Sequence, residues 1–151
     1  MMLRDLKIAK ECGIDVTVDQ MTQDLKSIVM EMTNNEGADK CFECSGAVVA
    51  ANTALDLCRR KGTVVQMGVF SKSKVEICTD WILHKEINYV GSRSQKPSSW
   101  VKALELMADG KVVPEKTAKN FVTLENWRDG FDRMAKGEGA KWVITIDEEL
   151  E

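Results

Sequence analysis

The sequence predicts an α/β fold with a largely parallel sheet. Two observations support this prediction. Segments with the apolar spacing of an amphipathic helix alternate with short apolar segments through most of the 151 residues. One short segment, TVVQMGV at 63–69, is apolar at most positions, as in a strand that is covered on both faces. Alternation of strands and helices is typical of a parallel sheet.

The predicted elements of the first sixty residues are helices over 2–12, 21–34 and 47–60, and strands over 15–19 and 40–45. The first helix presents Leu3, Leu6 and Ala9 on one stripe, and Gly13 is its stop signal. The second helix repeats apolar residues at the spacing i, i+3, i+4, i+7. DVTVD alternates as a half-buried strand does, and KCFECS is a short, largely apolar strand.

The predicted elements after residue 60 are strands over 63–69, 74–78, 87–92 and 141–146, an extended segment over 117–122, a short helix from Asp80, and helices over 98–109 and 124–136. KVEIC at 74–78 is predicted to be an edge strand, and Asp80 is predicted to cap the helix that follows it. The helix over 98–109 places Trp100, Leu104 and Met107 on one face. All four tryptophans are predicted to pack in separate elements.

Composition excludes several classes of function. The net charge of −3 shows no basic surface for DNA, RNA or an anionic membrane. No apolar run approaches the roughly 20 residues of a membrane span, and the first residues are charged too early for a signal peptide. Five cysteines at irregular spacings favour reduced thiols in a cytoplasmic protein. The acidic end, 147–151, is predicted to be a solvated tail.

Cys41 and Cys44 have the C-x-x-C spacing of metal and redox sites. On a strand, residues three apart point to opposite faces, so the two thiols cannot easily share a metal or form a disulfide. A redox pair also needs its first cysteine at a helix N-terminus, whereas Cys41 lies inside an apolar strand. Both cysteines are therefore predicted to be small buried hydrophobes, and a redox or metal protein is the disfavoured alternative.

Three predicted strands end in a glycine loop. These loops are Cys44-Ser45-Gly46, Met67-Gly68-Val69 and Val90-Gly91-Ser92-Arg93. Ligands of α/β proteins bind outside the carboxyl ends of parallel strands, and glycine lets backbone approach a ligand closely. Glycine is also common wherever a strand turns, but three such loops together indicate a ligand edge. No catalytic residue and no metal ligand is predicted; His84 is predicted to be a surface or packed histidine.

The ordered series of motifs resembles a known family. The series runs RDLKIAKECGIDVTVD, EGADKCFECSGA, ALDLCRRKGTVVQMGV, LHKEINYVGS, ALELMADGKV and FVTLENWRDGFDRMAKGEGAKWVITI, and it covers nearly the whole chain. It is similar to the C-terminal half of the medium-chain dehydrogenase/reductase family, closest to the branch of zinc-containing alcohol, polyol and threonine dehydrogenases. Proteins of this family bind NAD or NADP on a Rossmann domain and transfer hydride between the cofactor and an alcohol or carbonyl.

The resemblance implies a set of cofactor-binding residues. Ser45 and Gly46 match the loop beside the riboses, and Gly68 with Val69 matches the backbone that holds the nicotinamide carboxamide. Gly91, Ser92 and Arg93 match the loop that closes over the nicotinamide end. Lys141 falls where the family often has a basic residue near the pyrophosphate. These roles come from the resemblance alone.

The family's zinc ligands and its G-x-G-x-x-G turn have no counterpart in these 151 residues. The fold expected from the resemblance is therefore an incomplete Rossmann-like parallel sheet, without its first two strands, in a truncated chain. Residues 1–110 would be a partial dinucleotide-binding domain, and residues 111–151 the C-terminal segment of the catalytic domain. The chain is expected to be part of an NAD(P)-dependent zinc-type alcohol or polyol dehydrogenase, inactive as this fragment, with zinc only in a full-length relative. The alternative is a non-catalytic dimerisation and packing module derived from that family.

The chain is also expected to form a dimer. SKVEICTDWILHKEINYV matches the region through which family members pair, and Ile77 lies within it. In a Rossmann sheet of order 3-2-1-4-5-6, KCFECS would be strand 4, so the absence of strand 1 would leave its edge free to pair with another chain.

Overall fold

The computed structural model describes residues 3–146, so the predicted acidic tail lies outside the described residues. The chain divides into two compact units. One unit is Thr22–Gln95, and the other combines the residues up to Met21 with those from Lys96 onward. The elements in chain order are α1 (Leu3–Glu11), α2 (Leu25–Met32), β1 (Ala38–Glu43), α3 (Val48–Leu57), β2 (Cys58–Gln66), α4 (Thr79–Lys85), β3 (Asn88–Gly91), α5 (Pro97–Ala108), a 3-10 helix (Pro114–Lys116), β4 (Asn120–Thr123), α6 (Trp127–Ala135) and β5 (Trp142–Thr145).

The Thr22–Gln95 unit contains a three-stranded parallel sheet in the order β1-β2-β3. The three strands that end in glycine loops are therefore adjacent and parallel, which confirms the predicted parallel sheet. The last residues of the strands are in register, because Glu43 pairs with Gln66 and Gln66 pairs with Gly91. The three loops that follow therefore leave the same edge of the sheet side by side.

One face of this sheet carries the core of the unit. Helix α3 packs on both β1 and β2. Leu55 of α3 and Val64 of β2 belong to the same core cluster and are fully buried. The remaining members of the buried cluster are Cys58 and Ile87, with Cys41, Ala54, Ile77, Trp81, Ile82 and Tyr89 packed against them. Strand alternation turns the next residues of each strand to the opposite face. There Phe42, Val65 and Val90 form a row across the strands, with Phe42 61% and Val90 47% exposed.

The side chain of Lys85 caps the C-terminal end of α3. Its ammonium group donates to the backbone carbonyls of Leu55 (3.1 Å), Asp56 (2.6 Å) and Cys58 (3.2 Å). The last carbonyls of a helix have no partners within the helix, and a cation there also complements the helix dipole. The helix predicted to run to residue 60 therefore ends at Leu57, and Lys61-Gly62 lies inside β2 rather than at a helix end.

Two predicted strands are absent from the structure. The prediction that KVEIC is an edge strand is wrong, because its peptide groups bond to a helix side chain instead. Asn52 of α3 donates to the Glu76 carbonyl (3.1 Å) and accepts from the Cys78 N–H (2.8 Å). The prediction that DVTVD is a strand is also wrong, since no strand among residues 3–146 pairs with it. A strand needs a neighbouring strand for its backbone groups, and alternation alone does not supply one.

The prediction that Asp80 caps α4 is wrong as well. The helix begins one residue earlier, its N-cap residue is Cys78, and Asp80 lies within the first turn. A carboxylate in the first turn still complements the positive end of the helix dipole. The amide of Cys78 is already held by Asn52, which places the start of the helix there.

The second unit contains the parallel pair β4–β5, in register from Asn120 with Trp142 to Thr123 with Thr145. Helix α6 packs on this pair through Gly130, where an added Cβ would lie 3.0 Å from Val122. The helix predicted over 98–109 is confirmed as α5, and it is assigned to this unit. Among the described residues, no helix is long and apolar enough to cross a membrane.

Candidate functional site

The carboxyl edge of the three-stranded sheet is organised by Glu43. Its side chain is only 3% exposed, and both carboxylate oxygens accept hydrogen bonds from the following loop and the next strand. The donors are the Ser45 N–H (2.7 Å) and hydroxyl (2.5 Å), the Gly46 N–H (3.0 Å) and the Gln66 amide nitrogen (2.6 Å). Burial alone would raise the pKa of Glu43, but these donors stabilise the carboxylate and hold the pKa below its usual range.

The first two loops touch each other through their glycines. A Cβ on Gly68 would lie 2.1 Å from the Gly46 amide nitrogen, and a Cβ on Gly46 would lie 2.2 Å from the Val69 carbonyl oxygen. Gly46 also has a φ of +72°, which L residues rarely adopt. In addition, the Glu43 carbonyl accepts from the N–H groups of Met67 and Gly68, both at 2.8 Å. These two glycines are thus required by loop–loop contact, whatever else approaches them.

Gln66 joins the third loop to the other two. Its side-chain amide donates to Glu43 and to the Gly68 carbonyl (2.7 Å) and accepts from the Tyr89 hydroxyl (2.9 Å). Its backbone carbonyl accepts from the Ser92 N–H at 2.9 Å. Burial, together with the charge of Glu43, raises the pKa of Tyr89, so the phenol stays protonated as a donor. The polar network thus fixes all three loops relative to the sheet.

The sequence reasoning missed Glu43 and Gln66. A signal for both was present, because each is the polar last residue of its strand and directly follows two apolar residues, Cys41-Phe42 in β1 and Val64-Val65 in β2. A buried polar residue needs partners, and two of them at neighbouring strand ends can supply each other. Register could not be read from the sequence, so their pairing was not visible.

Beside this network lies an open pocket of about 430 Å³ at the ends of β2 and β3. Its wall includes five of the eight predicted site residues. The lining residues are Gln66, Met67, Gly68, Val69, Phe70, Lys72, Ser73, Gly91, Ser92 and Arg93. Ser45 and Gly46 do not line the pocket, although Gly46 lies against the Gly68 turn. Lys141 belongs to the other compact unit, where it directly precedes β5 and its carbonyl accepts from Asn120.

The C-x-x-C cysteines do not form a site. Cys41 is half-buried, and burial together with the neighbouring Cys58 raises its pKa to about 11, so it is a thiol at neutral pH. The prediction that Cys44 is buried is wrong: Cys44 is exposed, because β1 ends at Glu43 and Cys44 already belongs to the loop. His84 lies exposed on α4, as a surface histidine.

The described residues leave room for a nicotinamide ring but form no site for zinc. A Cβ on Gly91 would meet nothing within 4 Å, so a flat group could approach this backbone from the pocket, as a nicotinamide ring would. For zinc the fit fails. Between residues 3 and 146, no three His, Cys, Asp or Glu side chains come together as a metal site.

Comparison with known proteins identifies the family. The sequence profile of the zinc-binding dehydrogenases matches residues 4–109. D-arabitol-phosphate dehydrogenase of Enterococcus avium is 39% identical over 95% of this chain, and sorbitol dehydrogenase of Halalkalibacterium halodurans is 41% identical over 93% of it. In both cases the match covers 41% of the relative, so the chain spans about two fifths of these relatives' length.

The solved structures agree on the fold. An alcohol dehydrogenase from Thermotoga maritima superposes with a TM-score of 0.88 at 22% identity, and TADH from Thermus sp. ATN1 with 0.87 at 21%. Each match covers 97% of this chain, with 41% and 43% of the respective structures. The parallel sheet is thus part of the Rossmann-containing fold of these enzymes. Given the profile match over most of its length, the chain belongs to the zinc-binding dehydrogenase family.

Proposed function

We propose that the chain forms the nicotinamide side of the cofactor site in an NAD(P)-dependent zinc-type alcohol or polyol dehydrogenase. The observation that carries the proposal is the register of β1, β2 and β3, which brings three predicted cofactor loops to one edge of the sheet. Dinucleotides bind at this edge of doubly wound sheets. The curated relatives' names, a polyol phosphate dehydrogenase and a sorbitol dehydrogenase, support an alcohol or polyol substrate.

The residues have distinct roles in this proposal. Gly68 and Val69 would hold the carboxamide through their backbone, and Gly91 to Arg93 would close over the ring. Ser45 and Gly46 would lie beside the riboses, with Lys141 near the pyrophosphate. When bound, the cofactor supplies the hydride acceptor. Glu43 and Gln66 touch no reacting atom; they position the loops that do.

The proposal includes the domain assignment, with a partial dinucleotide-binding domain over 1–110 and a catalytic-domain segment over 111–151. It also includes a cytoplasmic location. The 151 residues do not contain the G-x-G-x-x-G turn. Among residues 3–146, no cluster of zinc ligands is found. We therefore expect the chain by itself to show no alcohol-dependent reduction of NAD.

Titration of the ¹⁵N-labelled chain with NADH and with NADPH tests the proposal. We expect saturable shifts of the backbone amide signals of Gly46, Gly68 and Gly91, because the cofactor would contact these loops. The amide of Gly110, after α5, is the internal control. Signals at the three loop glycines that stay fixed with both dinucleotides would contradict the proposal.

A second candidate is the non-catalytic dimerisation and packing module. The observation that favours it is the row of Phe42, Val65 and Val90 on one face of the sheet, in which Phe42 and Val90 are substantially exposed. Apolar rows of this kind are covered in assembled proteins. Failure of both dinucleotides to bind, with a stable dimer in solution, would favour this candidate.

A further inference from the structure

The pocket at the ends of β2 and β3 is positively charged, although the whole chain has a net charge of −3. Its wall holds two cationic side chains, Lys72 and Arg93, and no carboxylate. Neither cation forms an ion pair within residues 3–146, whereas Lys26, Arg59 and Lys119 each have an acidic partner within 3.0 Å. Both cations are therefore available to pair with a bound anion.

The nearby buried carboxylate forms no ion pair with these cations. Glu43 lies behind Gly68, where its Oε2 would be 2.5 Å from an added Cβ. Both of its oxygens are occupied by donors from Ser45, Gly46 and Gln66. Its side chain is almost completely buried, so it presents no acceptor to the pocket.

The donors of the pocket suit a phosphate group. A guanidinium can bind two oxygens of one phosphate through parallel hydrogen bonds, and an ammonium adds a compact charge. Ser73 and Ser92 also line the wall, and a serine hydroxyl can donate to the remaining oxygens. A phosphate monoester carries nearly two negative charges at neutral pH, which two unpaired cations would balance.

We propose that Lys72 and Arg93 bind the phosphate of a phosphorylated polyol substrate. This inference rests on the proposed function, in which the reacting end of the cofactor lies against the same pocket. The phosphate groups of a dinucleotide are the other source of this chemistry. In doubly wound sheets the pyrophosphate lies at the glycine turn after the first strand, and a ribose phosphate lies at the end of the second. Neither position is the end of β2 or β3, so the substrate is the better source.

The test uses the ¹⁵N-labelled 151-residue chain and follows the amide signals of Gly68, Gly91 and Ser92. The probe is glycerol 3-phosphate, a small polyol phosphate, and glycerol is its uncharged match. We expect saturable shifts with glycerol 3-phosphate and none with glycerol. Lys72→Gln and Arg93→Gln should each weaken binding about tenfold, because each removes one charge-assisted contact.

Lys40→Gln is the matched control, because it removes the same charge from an exposed position on β1 outside the pocket wall. The affinity of the Lys40→Gln variant for glycerol 3-phosphate should differ less than about twofold from that of the unmodified chain, since bulk salt screens charges beyond about 10 Å. Raising the salt concentration should weaken binding to the unmodified chain, a result that does not depend on any variant folding. Equal affinities of the Lys72, Arg93 and Lys40 variants would overturn the inference.

NADH and NADPH provide the remaining arms and separate the two proposals. If a dinucleotide shifts the signals of these amides and glycerol 3-phosphate does not, Lys72 and Arg93 bind the cofactor. The inference then fails, and the proposed function stands. If glycerol 3-phosphate binds and neither dinucleotide does, the phosphate site stands and the proposed cofactor role fails.

Discussion

Glu43 shows how one residue can decide the geometry of three loops. It is a charged side chain with almost no exposure, and it stays charged because every oxygen has donors. Removing one partner from such a network leaves the other donors buried without an acceptor. The cost of a substitution here is therefore larger than the loss of a single hydrogen bond on the surface.

We expect Glu43→Gln to lower the free energy of unfolding by about 1–3 kcal/mol. The new amide would point a donor at groups that are themselves donors, the N–H groups of Ser45 and Gly46 and the Gln66 amide. Urea denaturation at neutral pH measures the change. Glu31→Gln, at an exposed position on α2, is the control and should be nearly neutral. Equal stability of the two variants would mean that the network contributes little.

The pH dependence of stability provides a second measurement on the same residue. The folded chain holds the pKa of Glu43 below its ordinary value of 4.5, so the unfolded chain takes up the proton first. The stabilisation is complete above pH 4.5 and is lost as the pH falls through the folded pKa. In Glu43→Gln this part of the acid loss should disappear, and a profile parallel to that of the unmodified chain would refute the assignment.

At the scale of elements, the contact between α4 and α3 was not predictable from local pattern. Lys85 is one of many lysines in the sequence, and only the fold brings it to the end of a helix about 30 residues earlier. It also lies 5.9 Å from the ring centroid of Trp81, within the range of a cation–π contact.

We expect Lys85→Met to destabilise the chain by about 1–3 kcal/mol, because three carbonyls lose their charged donor while the apolar stem is kept. Lys102→Met is the matched control. Within residues 3–146 Lys102 forms only an exposed i,i+3 pair with Glu105, so its loss should cost less than about 1 kcal/mol. Thermal unfolding of both variants measures the difference. If Lys102→Met costs as much as Lys85→Met, the capping role is wrong.

The helices were predictable because their apolar spacing is a local property of the sequence, whereas the ends of α3 and α4 depend on contacts with Lys85 and Asn52. β1, β2 and β3 were also predictable, since each combines apolar residues with a glycine turn. DVTVD and KVEIC alternate equally well and are not strands, because pairing depends on a neighbour that the local pattern does not specify. The same limit applies to the site. The three loops could be named from sequence, but their mutual contact depends on the register of Glu43 with Gln66.

At the scale of the whole molecule, the free edge of β1 bears on association. The described strands leave one edge of β1 without a neighbouring strand, and Phe42 beside it is largely exposed. Ile77, which lies in the segment that matches the family's pairing region, packs against the buried core, so a lysine there would disturb the core as well as any interface. Phe42 is the better probe.

We expect the chain to be a dimer, with a light-scattering mass near twice 16.9 kDa at micromolar concentration. Phe42→Asp should shift it to the monomer mass, because a charge would be buried on the strand face. Val49→Asp is the control, since Val49 is 78% exposed on α3. A mass of 16.9 kDa for the unmodified chain would rule out the dimer, and a dimer that survives Phe42→Asp would point to the 74–78 segment instead.

The tie between the Glu43 carboxylate and the two glycine loops has a consequence for the thermodynamics of binding. The loops are already held before any ligand arrives, so little chain entropy remains to be lost on association. Such preorganisation favours binding without a closing motion, because ordering costs are small. A ligand at this edge should therefore bind with a modest entropic penalty, and the hydrogen exchange of the Gly46 and Gly68 amides should be slow even in its absence.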